Sequence, residues 1–343
     1  MEDTPAPQTA KRGIDANRPA ELPKRTWWRV IRRVMAQSDE RNLGLISAGV
    51  AFYALLSVFP GMAAMIALWG YFADPIMIRD QMILMEQLLP ADAFAILNDQ
   101  VEALISANSS TLQLTSLLSI VLAIWTARNG TAALIRGLNS IYRERHRSNP
   151  LLRYAVAVLL TVVLIVIGLF AFASVVILPT ILGFLAIPAF TEAAIALAKW
   201  AVLLAVVFFG ICLLYRYGPN RRGARVPWLT PGAFAALFAW TAGSAAFTIY
   251  LTNFGSFNEV YGSLGAVIAL LFWLYLSAYV VLLGAQLNAE LELSTSVDTT
   301  VGDAAPPGAR DAFVADHVVD ADGAANLATP QVPVDADTTK KIV

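Results

Sequence analysis

The chain has 343 residues, 57% of them hydrophobic and 14% charged, with a mean hydropathy of +0.62. Apolar blocks longer than about 18 residues exclude an ordinary soluble domain and predict an all-α, polytopic membrane protein. The ten-residue alternation of an outer-membrane barrel is absent, and a net charge of −1 conceals a strong segregation of signs along the chain.

Residues 1–24 are polar and rich in Pro and Ala, and read as a disordered tail. In the stretch that follows, Trp27, Ile31, Val34 and Met35 share one helical face and arginines cover the others. That pattern suits a helix lying in the headgroup region, or a solvated helix packed on nearby loops. No cleavable signal peptide is visible ahead of the first apolar run, which begins near Leu43. The first span is expected over about 43–72, with a kink at Pro60. Acidic residues mark 74–110, where two amphipathic helices, about 76–89 and 92–107, are expected as an extracytoplasmic hairpin between the first two spans.

Five more spans are expected, over about 112–141, 153–180, 193–216, 229–253 and 263–289, completing a six-helix membrane domain over 25–292. Ala235, Ala239 and Gly243 recur every four residues in the fifth, a helix-packing face. Residues 293–343 are rich in Asp, Ala, Pro and Thr and read as a disordered acidic tail. The lone cysteine, Cys212, lies inside a span and reads as a small buried hydrophobe.

Basic residues set the orientation. Nine occupy the N-terminal segment and four each the 142–153 and 216–225 loops, whereas the opposite connections hold Arg79 and, at an edge, Lys199. By the positive-inside rule both termini are cytoplasmic.

Several stretches carry a family resemblance. They are Ser47-Ala48-Gly49-Val50-Ala51-Phe52-Tyr53, continuing to Pro60; Trp125-Thr126-Ala127-Arg128; Leu138-Asn139-Ser140-Ile141-Tyr142; Tyr215-Arg216-Tyr217-Gly218-Pro219-Asn220; Pro231-Gly232-Ala233; Tyr261-Gly262-Ser263-Leu264; and Leu283-Gly284-Ala285-Gln286-Leu287-Asn288-Ala289-Glu290. Together, over about residues 25–292, the chain resembles the YihY/BrkB family of bacterial inner-membrane proteins. The resemblance implies six spans and a bacterial cytoplasmic membrane. It implies little chemistry: members have carried the name ribonuclease BN, a misassignment, and others are linked to serum resistance or to movement of lipopolysaccharide precursors.

The residues themselves speak against hydrolysis. His146 and His317 are the only histidines, and no HxE, HxH or DxD cluster sits on the cytoplasmic side of residues 25–292 to serve a metal-dependent nuclease, so no catalytic residue, metal or cofactor is expected. Basic loops suit anionic headgroups, and no nucleic-acid partner is expected. The sharpest feature is Arg128, central in the second span. An arginine there costs at least about 2.5–3.5 kcal/mol unless it meets a partner, a wet cavity or an interface.

The leading reading is therefore a transporter or translocator of an amphiphilic, anionic substrate, lipid favoured. Its inter-helix cavity would be lined by Arg128, Asn129, Tyr53, Ser57, Tyr275 and Asn288. The alternative is a non-transporting scaffold or envelope-assembly factor that docks a partner through residues 76–107. Structural roles are expected for Pro60, for Tyr261 and Gly262 at the turn into the last span, for Pro219 and Asn220 in the 216–225 loop, and for an Arg136–Glu290 ion pair.

Overall fold

The computed structural model describes residues 14–72, 109–183, 189–253, 264–319 and 325–328. Its helices are α1 (Lys24–Glu40), α2 (Leu43–Phe72), α3 (Ser109–Ile141), α4 (Pro150–Gly183), α5 (Ala189–Tyr217), α6 (Val226–Asn253), α7 (Leu264–Glu292) and the short α8 (Phe313–Asp316). Two three-residue strands, β1 (His317–Val319) and β2 (Ala325–Leu327), pair antiparallel. Six helices, α2 to α7, are long and apolar enough to cross a membrane. They correspond to the six expected spans. The hairpin expected over 76–107 and the turn at Tyr261 and Gly262 lie outside the described residues.

Local sequence explains the helix ends. Asn149 caps α4: its Oδ1 accepts from Leu151 N at 2.9 Å and Leu152 N at 3.3 Å, with Pro150 next in line. The carbonyls of Tyr217, Gly218 and Pro219 at the end of α5 are taken up by Arg147 at 3.2–3.3 Å. The chain turns from α1 into α2 at Asn42, whose φ of 55° is the left-handed conformation that asparagine tolerates. α2 continues unbroken through Pro60.

The spanning helices form a ring in chain order, each packed on the next, and α7 closes it on α2 while also touching α3 and α1. Outer faces are apolar and exposed, as at Leu117, Leu118 and Val121 of α3 and Phe234 and Phe238 of α6. That is the surface a lipid environment accepts. The fully buried residues gather instead at one end, which we call the base. They include Leu138 and Ile141 at the end of α3, Tyr142 just after it, Tyr215 of α5, Trp228 of α6, and Leu282 and Leu291 of α7. Both terminal segments and the loops at 142–149 and 218–225 meet there.

The tail does not behave as its composition suggests. Residues 293–316 fold under the base, and Thr295, Thr299 and Thr300 are buried. Ile14 bridges to Thr295, Arg225 N donates to Thr299 O at 2.8 Å, and Val301 N donates to Gly223 O at 2.9 Å. The expectation of disorder is thus corrected over 293–319 and over 14–24. The physical reason is that these segments bury surface against the base, not against themselves.

α6 and α7 touch backbone to backbone. A Cβ at Gly232 would collide with the Gly284 carbonyl, and one at Gly284 with the Gly232 carbonyl. Pro231 removes a rung of the α6 ladder. Asn288 braces the backbone on either side of it, its Nδ2 donating to Leu229 O at 2.9 Å and its Oδ1 accepting from Gly232 N at 2.7 Å. Gly284→Ala is expected to lower stability by about 3 kcal/mol, the upper range for overpacking. Thermal unfolding in detergent checks this, with Gly49→Ala, where added bulk meets nothing, expected to be neutral.

Candidate functional site

Arg128 is placed by the α2–α3 contact. Gly130 brings α3 close to α2: a Cβ there would lie 3.6 Å from Tyr53 Cβ and 3.7 Å from Val50 O. This face is shut, and Arg128 reaches toward α4. Its guanidinium stacks over the Tyr154 ring, 4.3 Å from the centroid, and Nη1 donates to Asn129 Oδ1 at 3.0 Å. Nε is buried with no hydrogen-bond partner. Such a cation–π contact contributes about 0.5–2 kcal/mol, less than a desolvated guanidinium requires.

Tyr154 sits one turn from the start of α4, where Leu151 and Leu152 are exposed and Tyr154 is itself 48% exposed. Trp125, one turn before Arg128, is 55% exposed. The charge is therefore nearer the base than its central place in α3 suggests, among aromatic side chains of the kind that gather at a bilayer interface. Among the described residues no carboxylate pairs with it; the two ion pairs lie elsewhere.

The other expected lining residues are only partly gathered. Asn129 is bonded to Arg128, whereas Tyr53 lies against Gly130 on the shut face and packs edge-on against Phe52 at 5.6 Å. Ser57 Oγ donates within its own helix to Ala54 O at 2.7 Å. Tyr275 stacks on Tyr279 at 6.0 Å, with its hydroxyl facing Gly44. Asn288 is wholly buried and occupied by α6.

The expected Arg136–Glu290 pair does not form. Arg136 is exposed. Glu290 is buried and takes Arg33 of α1, Nε to Oε2 at 2.8 Å. α1 turns Arg33 inward because Thr26, Val30, Val34 and Ser38 bury the adjacent face. Gln286 supports the pair, donating to Glu290 Oε1 at 3.2 Å and to Gln37 Oε1 at 3.3 Å. At the 218–225 turn, Asn220 N donates to Asn139 Oδ1 at 2.8 Å and Nδ2 to Arg145 O at 3.0 Å.

Sequence reasoning missed a second buried pair. Arg221 grips Glu292 through both nitrogens, at 3.2 and 2.7 Å, and lies over the Tyr142 ring at 4.8 Å. Thr299 of the C-terminal segment donates to the same carboxylate at 2.8 Å. Nearby, Glu144 accepts from Phe313 N at 2.8 Å. Burial pushes its carboxyl up, against the pull of that N–H and of Arg221. The signal was two glutamates at the end of the last span, facing a loop of arginines. Among the described residues, no group of three His, Cys, Asp or Glu side chains is placed to hold a metal ion.

A family model described as virulence factor BrkB matches residues 34–308. The chain belongs to the BrkB family. The match takes in α2 to α7 and extends over much of the docked C-terminal segment, so in this BrkB-family chain the base belongs to the family unit. A Bacillus subtilis protein named ribonuclease-like YfkH is 30% identical over 258 residues, covering 71% of this chain and 88% of the relative. A UPF0761 membrane protein of Chlorobium limicola is 27% identical over 307 residues, 85% of this chain and 66% of the relative. One of Histophilus somni is 37% identical over 93 residues, 27% of this chain and 32% of that protein. No solved structure matches the chain.

Two outcomes test the base. Arg221→Gln leaves Glu292 buried and unpaired and is expected to lower stability by about 3–5 kcal/mol. The Arg221→Gln/Glu292→Gln double variant should recover part of that loss in thermal melts. The second concerns Asp298. Burial pushes its carboxyl up, but donors from Ala305 N and Thr300, with the Arg310 charge, outweigh this and hold it below the ordinary value. A depressed carboxyl stabilises the fold fully above about pH 4, its unfolded value, and progressively less as pH falls through its folded value. Amide protection over 296–316, corrected for intrinsic exchange, should fall below about pH 4, whereas Asp298→Asn should show that lowered protection already at about pH 6, where the parent carboxylate is ionised.

Proposed function

We propose that this chain is a bacterial inner-membrane protein, with its base and both termini in the cytoplasm, that binds and moves an anionic amphiphile, a lipid above all. The observation that carries the reading is the state of Arg128. Its guanidinium is held in place by Tyr154 and Asn129 but has no carboxylate among the described residues. It lies beside exposed apolar and aromatic side chains, where a lipid phosphate can reach it. A phosphate oxygen accepting from the guanidinium supplies the charge that the protein does not.

The orientation is supported by the basic residues, which gather in the loops and N-terminal segment at the base. A ribonuclease role, suggested by the name of the Bacillus relative, has little support: no cluster of metal-ligating side chains occurs among the described residues. The competing reading is a scaffold that transports nothing.

Native mass spectrometry of the gently purified protein separates these readings. Retention of an anionic lipid, weakened about tenfold in Arg128→Gln, is the expected result, since a charged hydrogen bond contributes about 1.5–3 kcal/mol. Equal lipid retention in parent and variant overturns the site and favours the scaffold.

A further inference from the structure

α1 has two apolar faces, and the bundle covers only one. Thr26, Val30, Val34 and Ser38 pack inward. Trp28, Ile31 and Met35, at i, i+3 and i+7, form a separate stripe that is 65, 46 and 67% exposed. Three large side chains in a row at that exposure mark an interaction surface more than a chance of composition.

Charge and position indicate what covers the stripe. Arg25, Arg29 and Arg32 are exposed along its outer flank, and no acidic residue occurs from Lys24 to Ser38. Only Arg41 and Asn42 separate α1 from α2, whose membrane-crossing stretch starts at Leu43. Two residues hold the end of α1 within about 10 Å of that start. Leu45, in the first turn of α2, is also exposed. An apolar stripe bordered by arginines, tethered to a spanning helix, fits a bilayer interface with anionic headgroups.

We propose that the Trp28–Ile31–Met35 stripe of α1 docks on an anionic membrane surface, with Arg25, Arg29 and Arg32 on lipid phosphates. Arg33 stays out of this role because it is turned inward to Glu290. The lipid-facing edge of α1 is thereby tied to the end of α7. The inference does not rest on Arg128.

The test uses the full-length protein with Cys212→Ala and one new cysteine, Ile31→Cys or Met35→Cys, labelled with an environment-sensitive fluorophore. The protein is reconstituted in phosphatidylcholine vesicles with or without phosphatidylglycerol, each containing nitroxide-labelled lipid. A label at Asp303→Cys, exposed in the C-terminal segment, is the control. Both α1 labels should be blue-shifted and quenched in the anionic vesicles, and the control should not. Replacing Arg25, Arg29 or Arg32 by Gln should weaken the preference for anionic lipid by about fivefold each. Labels that stay water-accessible in both vesicle types overturn the proposal. So does cross-linking of the unlabelled Ile31→Cys variant between two copies without lipid quenching of its labelled form, which assigns the stripe to a second copy.

Discussion

Glu290 and Glu292 leave the end of α7 with no exposed surface, and each must be neutralised where it stands. An unpaired buried carboxylate costs several kcal/mol, so the fold has to deliver a guanidinium to each. The two guanidiniums come from opposite directions. Arg33 arrives on α1, from before the first span, and Arg221 on the turn between α5 and α6. The path of α1, the shape of the 218–225 turn and the docking of Thr299 all follow from this requirement. Ion pairs of this kind contribute less to net stability than to specificity of arrangement. Hydrophobic residues could fill the same volume, but they would not dictate which segment packs there.

The α6–α7 contact works by another means. Two glycines let the backbones touch, and the Asn288 amide fills the gap left in the ladder around Pro231. Close approach of this sort replaces the hydrophobic driving force that helices lack when lipid surrounds them. Both means meet at the base, where this glycine contact lies beside the buried ion pairs and the packed apolar core. Within the spans, the hydroxyls of Ser57 and Thr126 are satisfied inside their own helices, on Ala54 O and Leu122 O.

What could be read from sequence was what depends on one stretch at a time. The six spans follow from runs of apolar residues, and the turn at Pro219 and Asn220 from its composition. Arg128 stood out because a charge within an apolar run is visible without knowing its neighbours. What could not be read depends on segments far apart. Arg136 was the natural partner for Glu290 on depth alone, yet Arg33 lies 257 residues away and reaches it because α1 buries the neighbouring face. Asn288 could line a cavity or brace a helix, and only the position of Gly232 decides for the brace. The C-terminal segment looked disordered because its composition cannot form a core of its own; it completes one that the rest of the chain has already begun.

The closing contacts of the base join the segment before the first span to the one after the last. The Thr295 hydroxyl lies 2.9 Å from Ala16 O across 279 residues of sequence. During synthesis the N-terminal segment and the first spans are made long before these partners leave the ribosome. Arg33 must wait, solvated or held by lipid phosphates, until α7 has been inserted and Glu290 is present. The base is thus the last part of the molecule able to form. A chain cut before Thr295 keeps every span but cannot make this contact, so the segments before the first span and after the last stay unjoined there.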